Sequence, residues 1–229
     1  MAGKGQRTVV VTGSSSGIGS AIARHLAGEG WAVTGLDRVA AESADHLAGE
    51  VLVDLADAGA VQAAGHRLRG HHALVHAAGL MRTARLDALD PADGDLMWAV
   101  HVRALTILMQ TVCPAMPAGG RVVAVGSRTS RGAAGKGQYA ATKAAMVGLV
   151  RSFASELAPV GVTANVVAPA ATATPLLSRG DRADVPPVTP PIGRFIDPVE
   201  IAATVSFLLS PEAAAITGQE IVICGGASL

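Results

Sequence analysis

A doubly wound parallel β-sheet with helices on both faces is the α/β fold this sequence predicts, and three observations predict it. Runs such as TVVVT at Thr8–Thr12 and RVVAVG at Arg121–Gly126 are continuously apolar rather than alternating, as strands buried on both faces are. These runs take turns with longer Ala- and Leu-rich stretches from end to end, the pattern of repeated strand–helix–strand units. The first run ends in a glycine-rich turn that leads straight into a helix, where such a fold places its anion-binding loop. A chain of 229 residues suits one domain of this kind, and no linker or internal repeat divides it.

In order, the expected strands are Thr8–Thr12, Ala32–Leu36, Val51–Val53, Ala73–His76, Arg121–Gly126, Thr163–Ala168 and Glu220–Ile223. Helices are expected near 17–29, 58–69, 93–113, 138–158 and 198–209. The exception is 175–197, rich in Pro, Gly and charge, which reads as a surface connection or a short lid over a site. Helices 93–113 and 138–158 carry apolar residues on more than one face, among them Leu105, Leu108, Met109, Met146, Leu149, Val150 and Phe153. Such helices need cover on a second side, which points to a homo-oligomer.

Eighteen basic and eighteen acidic residues leave no net charge, so nothing favours nucleic acid or an anionic membrane. The N-terminus runs directly into an apolar strand without the pattern of a secretory leader. No apolar run approaches the length of a membrane span, so a cytoplasmic protein is expected. Cys113 and Cys224 fit no paired framework and read as buried free thiols. The histidines, His71 and His72 included, lack ligand spacing, and no metal site is expected.

The turn after the first strand reads Thr12-Gly13-Ser14-Ser15-Ser16-Gly17-Ile18-Gly19. Binding a pyrophosphate requires a tight turn, close backbone approach and a helix N-terminus aimed at the anion, and Gly13, Gly17 and Gly19 provide the first two. Asp37 closes the second strand, where a carboxylate accepts hydrogen bonds from adenosine ribose hydroxyls and repels a 2′-phosphate. That favours NAD over NADP, while Arg38 beside it is compatible with a phosphate.

The one tyrosine, Tyr139, precedes Lys143 by one helical turn in YAATK, so phenol and ammonium share a face. A phenol near pKa 10 is a poor base at neutral pH, and an adjacent cation lowers that value. A tuned phenol takes a proton from an alcohol, or returns one to a ketone, while hydride moves to or from nicotinamide.

Together these pieces resemble the short-chain dehydrogenase/reductase family, in its 3-oxoacyl-reductase-like branch, over essentially the whole length. The matching segments are TGSSSGIG, Asp54-Leu55, HAAG at 76–79, Ser127 at a strand end, YAATK, Asn165 and TGQEIVICGG. The resemblance implies a Rossmann fold and a Ser127–Tyr139–Lys143 active site, with Ser127 orienting the substrate oxygen. It places Gly13, Ser15, Ser16, Gly17, Ile18, Gly19, Asp37, Asp54, Leu55, His76, Ala78, Gly79, Tyr139, Lys143, Pro169, Thr172 and Thr174 around the dinucleotide. Three departures stand out: His76-Ala77 replaces the usual Asn-Asn, Pro169-Ala170 replaces Pro-Gly, and His101 replaces the usual asparagine. That asparagine helps hold a water beside the lysine. His101 therefore either joins the proton relay, titrating near neutrality, or merely packs the helix.

By position in the family, Met81, Arg82, Thr129, Ala133, Ala134, Lys136, Gln138 and Ala171 surround the substrate, with Arg82 either holding a carboxylate or lying in solvent. The readings that follow are an NAD-dependent alcohol/ketone oxidoreductase, a dihydrodiol dehydrogenase, an NADPH-dependent 3-oxoacyl reductase, or a nucleotide sensor without catalysis. The family commonly pairs the two apolar helices in dimers or tetramers.

Overall fold

Along each strand the side chains point alternately to the two faces of the sheet, and the valines sort the helices into two layers. The computed structural model describes residues 6–177 and 185–229. Its strands are β1 (Thr8–Thr12), β2 (Ala32–Asp37), β3 (Gly49–Leu52), β4 (Ala73–His76), β5 (Arg121–Val125), β6 (Thr163–Pro169) and β7 (Glu220–Ile223). All pair in parallel as one sheet in the order β3-β2-β1-β4-β5-β6-β7. The helices are α1 (Gly17–Gly28), α2 (Ala58–Arg67), α3 (Pro91–Trp98), α4 (Ala104–Val112), α5 (Gly137–Leu157) and α6 (Pro198–Leu209).

Val10, Leu74, Val122, Ala124 and Val166 face one core, which α2, α4 and α5 complete with Val61, Leu105, Leu108, Met146 and Val150. Val9, Val11, Val75, Val123 and Val167 face the other, completed by Ile22 and Leu26 of α1 and Ile201 and Val205 of α6. The predicted doubly wound sheet is therefore present, and the strand order reverses between β1 and β4. Such a switch point opens a crevice at the carboxyl ends of the strands.

The boundaries differ in informative places. β3 begins at Gly49, earlier than the expected Val51, because Gly49 and Glu50 already pair with Thr34 and Gly35. The helix expected at 93–113 begins at Pro91, capped by the Asp90 carboxylate, and is interrupted by a π-helical turn at Ala99–Arg103. The continuous run Pro91–Ala115 is long and apolar enough to cross a membrane, contrary to the expectation. It lies mostly buried against the sheet, as a core helix does. Five of the seven apolar residues invoked for a partner, Leu105, Leu108, Met109, Met146 and Val150, are buried within this chain alone. Cys113 is buried, and burial pushes its thiol up to about 12, whereas Cys224 is half-exposed rather than buried.

Of the segment 175–197, residues 178–184 lie outside the described part. Its far end returns to the stretch that follows β6: Ile196 donates its amide to Ala171 O at 2.9 Å, and Ala173 donates to Ile196 O at 2.9 Å. Asn165, one of the motif residues, fastens β6 to the turn before β7. Its Nδ2 donates to Ile216 O at 2.8 Å and its Oδ1 accepts from Gln219 N at 3.1 Å.

Two helical glycines make opposite predictions. A Cβ on Gly65 of α2 would collide with the Thr111 side chain, whose hydroxyl is already tied to Ile107 O at 2.7 Å. A Cβ on Gly148 of α5 meets open space. Gly65→Ala is expected to lose about 1–3 kcal/mol, and Gly148→Ala to gain roughly 0.5–1 kcal/mol from helix propensity. Urea denaturation measures both, and equal signs would contradict the packing described.

Candidate active site

The glycine-rich turn after β1 is built so that backbone lies where side chains would otherwise stand. Gly13 has φ 73°, and a Cβ on it would lie 2.8 Å from both N and Cα of Ala78 on the neighbouring strand end. A Cβ on Gly19 would strike the Gly13 carbonyl, and one on Gly17 would touch the Thr174 side chain at 3.5 Å. Asp37, at the end of β2, fixes this turn: its Oδ2 accepts from Ser15 N at 3.0 Å and from Ser15 Oγ at 2.7 Å. Its Oδ1 accepts from Arg38 N at 2.6 Å.

Beneath the turn lies a buried polar knot. Thr12 Oγ1 accepts from Ala77 N at 3.1 Å and Ala78 N at 3.0 Å, which uses both lone pairs. Its proton therefore goes to His76 Nδ1, 3.1 Å away, and His76 Nε2–H donates to Val100 O at 3.1 Å. His76 is held neutral. Burial first, then the Lys143 charge, push it down to about 3. A histidine thus replaces the amide of the family motif with one donor and one acceptor correctly placed.

His101 sits inside the π turn and is equally committed. Leu80 N–H donates to its Nε2 at 3.1 Å, so the ring proton is on Nδ1 and goes to Thr142 Oγ1 at 2.8 Å. Thr142 in turn donates to Tyr139 O at 2.9 Å. The His101 ring also meets the Tyr139 ring edge-on, with centroids 5.7 Å apart. Both nitrogens are spent, and burial with the nearby Lys143 charge holds the ring well below its usual value. The expected titration near neutrality is therefore corrected: desolvation keeps His101 uncharged.

Lys143 is buried, and its Nζ donates to Val125 O at 2.9 Å. Burial pushes it down to about 7. Gly79 packs closely beside it: a Cβ there would press on His101 Nε2 at 3.3 Å and touch Lys143 Nζ at 3.7 Å. Ser127 caps a short turn at the end of β5, accepting from Thr129 N at 3.1 Å.

A cleft of about 800 Å³ runs across the strand ends. Of the anticipated dinucleotide residues, Gly13, Ser15, Ser16, Gly17, Ile18, Gly19, Asp37, Asp54, Leu55, Ala78, Gly79, Tyr139, Lys143, Pro169, Thr172 and Thr174 line it. His76 does not, because it is turned inward to the knot, and His101 lies behind the lining for the same reason. Ser127, Tyr139 and Lys143 line the same cleft with Met81, Arg82, Thr129, Lys136 and Ala171. Ala133, Ala134 and Gln138 are not on the wall: Gln138 donates instead to Asp90 O at 2.9 Å, and the alanines lie in a loop bent at Gly132 and Gly135, both with positive φ. Arg82 is not simply solvated, since its Nε lies 3.3 Å from Asp93 Oδ1. Sequence reasoning missed Thr12, Thr142 and Arg128. Their positions beside Gly13, Lys143 and Ser127 were the available signal.

A cradle that leaves no room for side chains at Gly13 and Gly19 and holds Gly17 at a φ of 55°, with a carboxylate at the β2 end, fits a dinucleotide. The family model described as enoyl-(acyl carrier protein) reductase matches residues 13–228. The chain is 36% identical to the 2,3-dihydro-2,3-dihydroxybenzoate dehydrogenase of Escherichia coli K12, covering 97% of each protein. It is 33% identical to a 3-oxoacyl-[acyl-carrier-protein] reductase of Vibrio cholerae, covering 96% of each. A short-chain dehydrogenase of Burkholderia cenocepacia, solved in complex with NADP, superposes with a TM-score of 0.85 at 32% identity, covering 99% of each chain. Because the likeness runs the whole length of each protein and not only through the glycine-rich turn, this chain belongs to the short-chain dehydrogenase/reductase family and is a hydride-transferring oxidoreductase served by a nicotinamide dinucleotide.

Proposed function

We propose that the chain interconverts a secondary alcohol and its ketone with NAD(H), using Tyr139 as acid/base, Lys143 to tune it and Ser127 to orient the substrate oxygen. The observation that carries this reading is that Ser127, Tyr139 and a buried Lys143 line the same cleft, with Lys143 Nζ 5.8 Å from the centre of the Tyr139 ring. When bound, a nicotinamide dinucleotide supplies the acceptor or donor of the hydride. In the oxidative direction Tyr139 Oη takes the hydroxyl proton as the carbinol C–H bond gives up its hydride, and the C=O double bond forms. In reduction the phenol returns that proton to the new alkoxide oxygen. Ser127 donates to the same oxygen. Lys143 stabilises the phenolate, and the phenolate in turn favours the charged lysine.

Asp37 supports NAD over NADP, because a 2′-phosphate would be brought against its carboxylate. The described flanks of the proposed lid, 175–197, support that role, since Leu176, Leu177, Pro187 and Val188 line the cleft. Exposed Leu96 and Trp98 on α3 and Phe207 on α6 support a homo-oligomer. A cytoplasmic location goes with this reading.

Reduced-nicotinamide absorbance, followed with NAD or NADP and a panel of secondary alcohols, cyclic diols and hydroxyacyl thioesters, tests the assignment. Tyr139→Phe is expected to lose about 10²–10⁴-fold in kcat, and Asp37→Ala to lower the NAD/NADP preference at least about tenfold. Undiminished turnover by the phenylalanine variant would remove Tyr139 from the chemistry.

For His101 the neutral, doubly bonded ring predicts positioning rather than relay. His101→Ala should lower kcat by about 10²-fold, and His101→Asn, which keeps an acceptor for Leu80 N, should restore most of it. In neither variant should the pH–rate profile lose an ionisation between about pH 5 and 8. A limb that vanished with His101→Asn would make it a proton carrier after all.

Lys143 predicts a pH-dependent stability of the cofactor-free protein. The unfolded chain keeps this lysine charged up to its ordinary value of 10.5, whereas the folded protein releases the proton at about 7. Between those values the unfolded state binds more protons, so stability rises with pH. Lys143→Met should flatten that rise, and urea midpoints at pH 7 and 9 for parent and variant measure it. A slope unchanged by the substitution would mean that Lys143 is not desolvated as described.

A further inference from the structure

Charge is spread unevenly along the wall of the cleft. Among the described residues the acidic side chains on the wall, Asp37 and Asp54, stand with Arg38 near the glycine-rich turn, whereas Arg82, Arg128 and Lys136 line the wall with Met81, Ser127 and Thr129 and with no acidic side chain. Arg82 has Asp93 beside it. Arg128 has no such partner: it forms no ion pair among the described residues. Its Nη1 donates to Ala227 O at 3.1 Å, while its Nε is sealed from solvent with no acceptor.

The root of Arg128 is fixed on both sides. Ser127 Oγ holds Thr129 N, and Ser130 Oγ donates to Glu220 Oε1 at 2.9 Å on β7. The guanidinium therefore projects from a rigid turn immediately after the residue that orients the substrate oxygen. A half-buried guanidinium with unused donors on the wall of a cleft is placed to meet an anion. A purely structural tie to Ala227 O needs only a neutral donor and explains neither the charge nor its place on the wall.

We infer that Arg128 is a specificity-determining residue that binds an oxyanionic group of the substrate, a carboxylate, so that the substrate class is hydroxy acids and their keto acids. The inference rests on the alcohol/ketone reading of the same site. Held by Arg128, the carboxylate fixes the adjacent part of the molecule while Ser127 and Tyr139 address the carbinol or keto oxygen. The carboxylate itself is unchanged in the reaction.

Binding and turnover test it separately. Calorimetric titration of the NADH complex with cyclohexanecarboxylate, cyclohexanecarboxamide and cyclohexyl phosphate reads the anion site without catalysis. The carboxylate should bind about 10- to 100-fold more tightly than the amide. Arg128→Met should erase that difference while moving the amide by less than about twofold, and Arg128→Lys should retain part of it. In turnover, KM for 3-hydroxycyclohexanecarboxylate should rise in Arg128→Met far more than kcat falls. Equal binding of carboxylate and amide, failure of both to bind, or an equal loss for both in Arg128→Met would overturn the proposal. Stronger binding of the phosphate than of the carboxylate would overturn the assignment to acids. An intact binding contrast with no alcohol oxidised by the parent would instead strike the reaction assigned to the site and leave the anchor standing.

Discussion

The Lys143 ammonium is buried, with the Val125 carbonyl beside it and, among the described residues, no carboxylate paired with it. Burying a cation on those terms costs several kcal/mol, and the groups around it are chosen accordingly. His76 and His101 both lie close enough for its charge to push them toward neutrality, and both have their single ring proton directed at a specific acceptor. Neither adds a second positive charge. The same neutral rings hold the backbone of HAAG and of the Tyr139 turn in place, so the device that tolerates the lysine also positions the groups that use it.

That arrangement depends on the sheet beneath. Gly13 and Ala78 approach within van der Waals distance because β1 and β4 are neighbours at the switch point, and Thr12 spans them with three hydrogen bonds. Lys143 reaches Val125 because α5 packs along β6, the strand paired with β5. The π turn at Ala99–Arg103 brings His101 and the Val100 carbonyl to the same knot. Chemistry at the strand ends is thus fixed by helix and strand packing rather than by loops alone.

Much of this was legible in the residues. Apolar runs gave away the strands because a parallel sheet buries both faces, and TGSSSGIG, Asp37 and YAATK carry their chemistry in local spacing. What was not legible depends on long-range placement. A histidine at 101 reads as a titrating group until its burial and both of its partners are known. The apolar residues of α4 and α5 look available to a second copy until the sheet is seen to take most of them. Arg128 gains its meaning from Glu220 and Ala227, which lie about ninety or more residues away in the chain.

β7, half-exposed along its length, is an edge strand paired only with β6. Edge elements with few buried contacts open at lower free energy than the centre of a sheet. The turn that carries Arg128 is moored to this strand and to the segment after it, whereas the dinucleotide cradle is moored to β1, β2 and β4 in the interior. Loosening therefore has a direction: as the edge frays, the turn that carries Arg128 loses its mooring before the glycine-rich turn does.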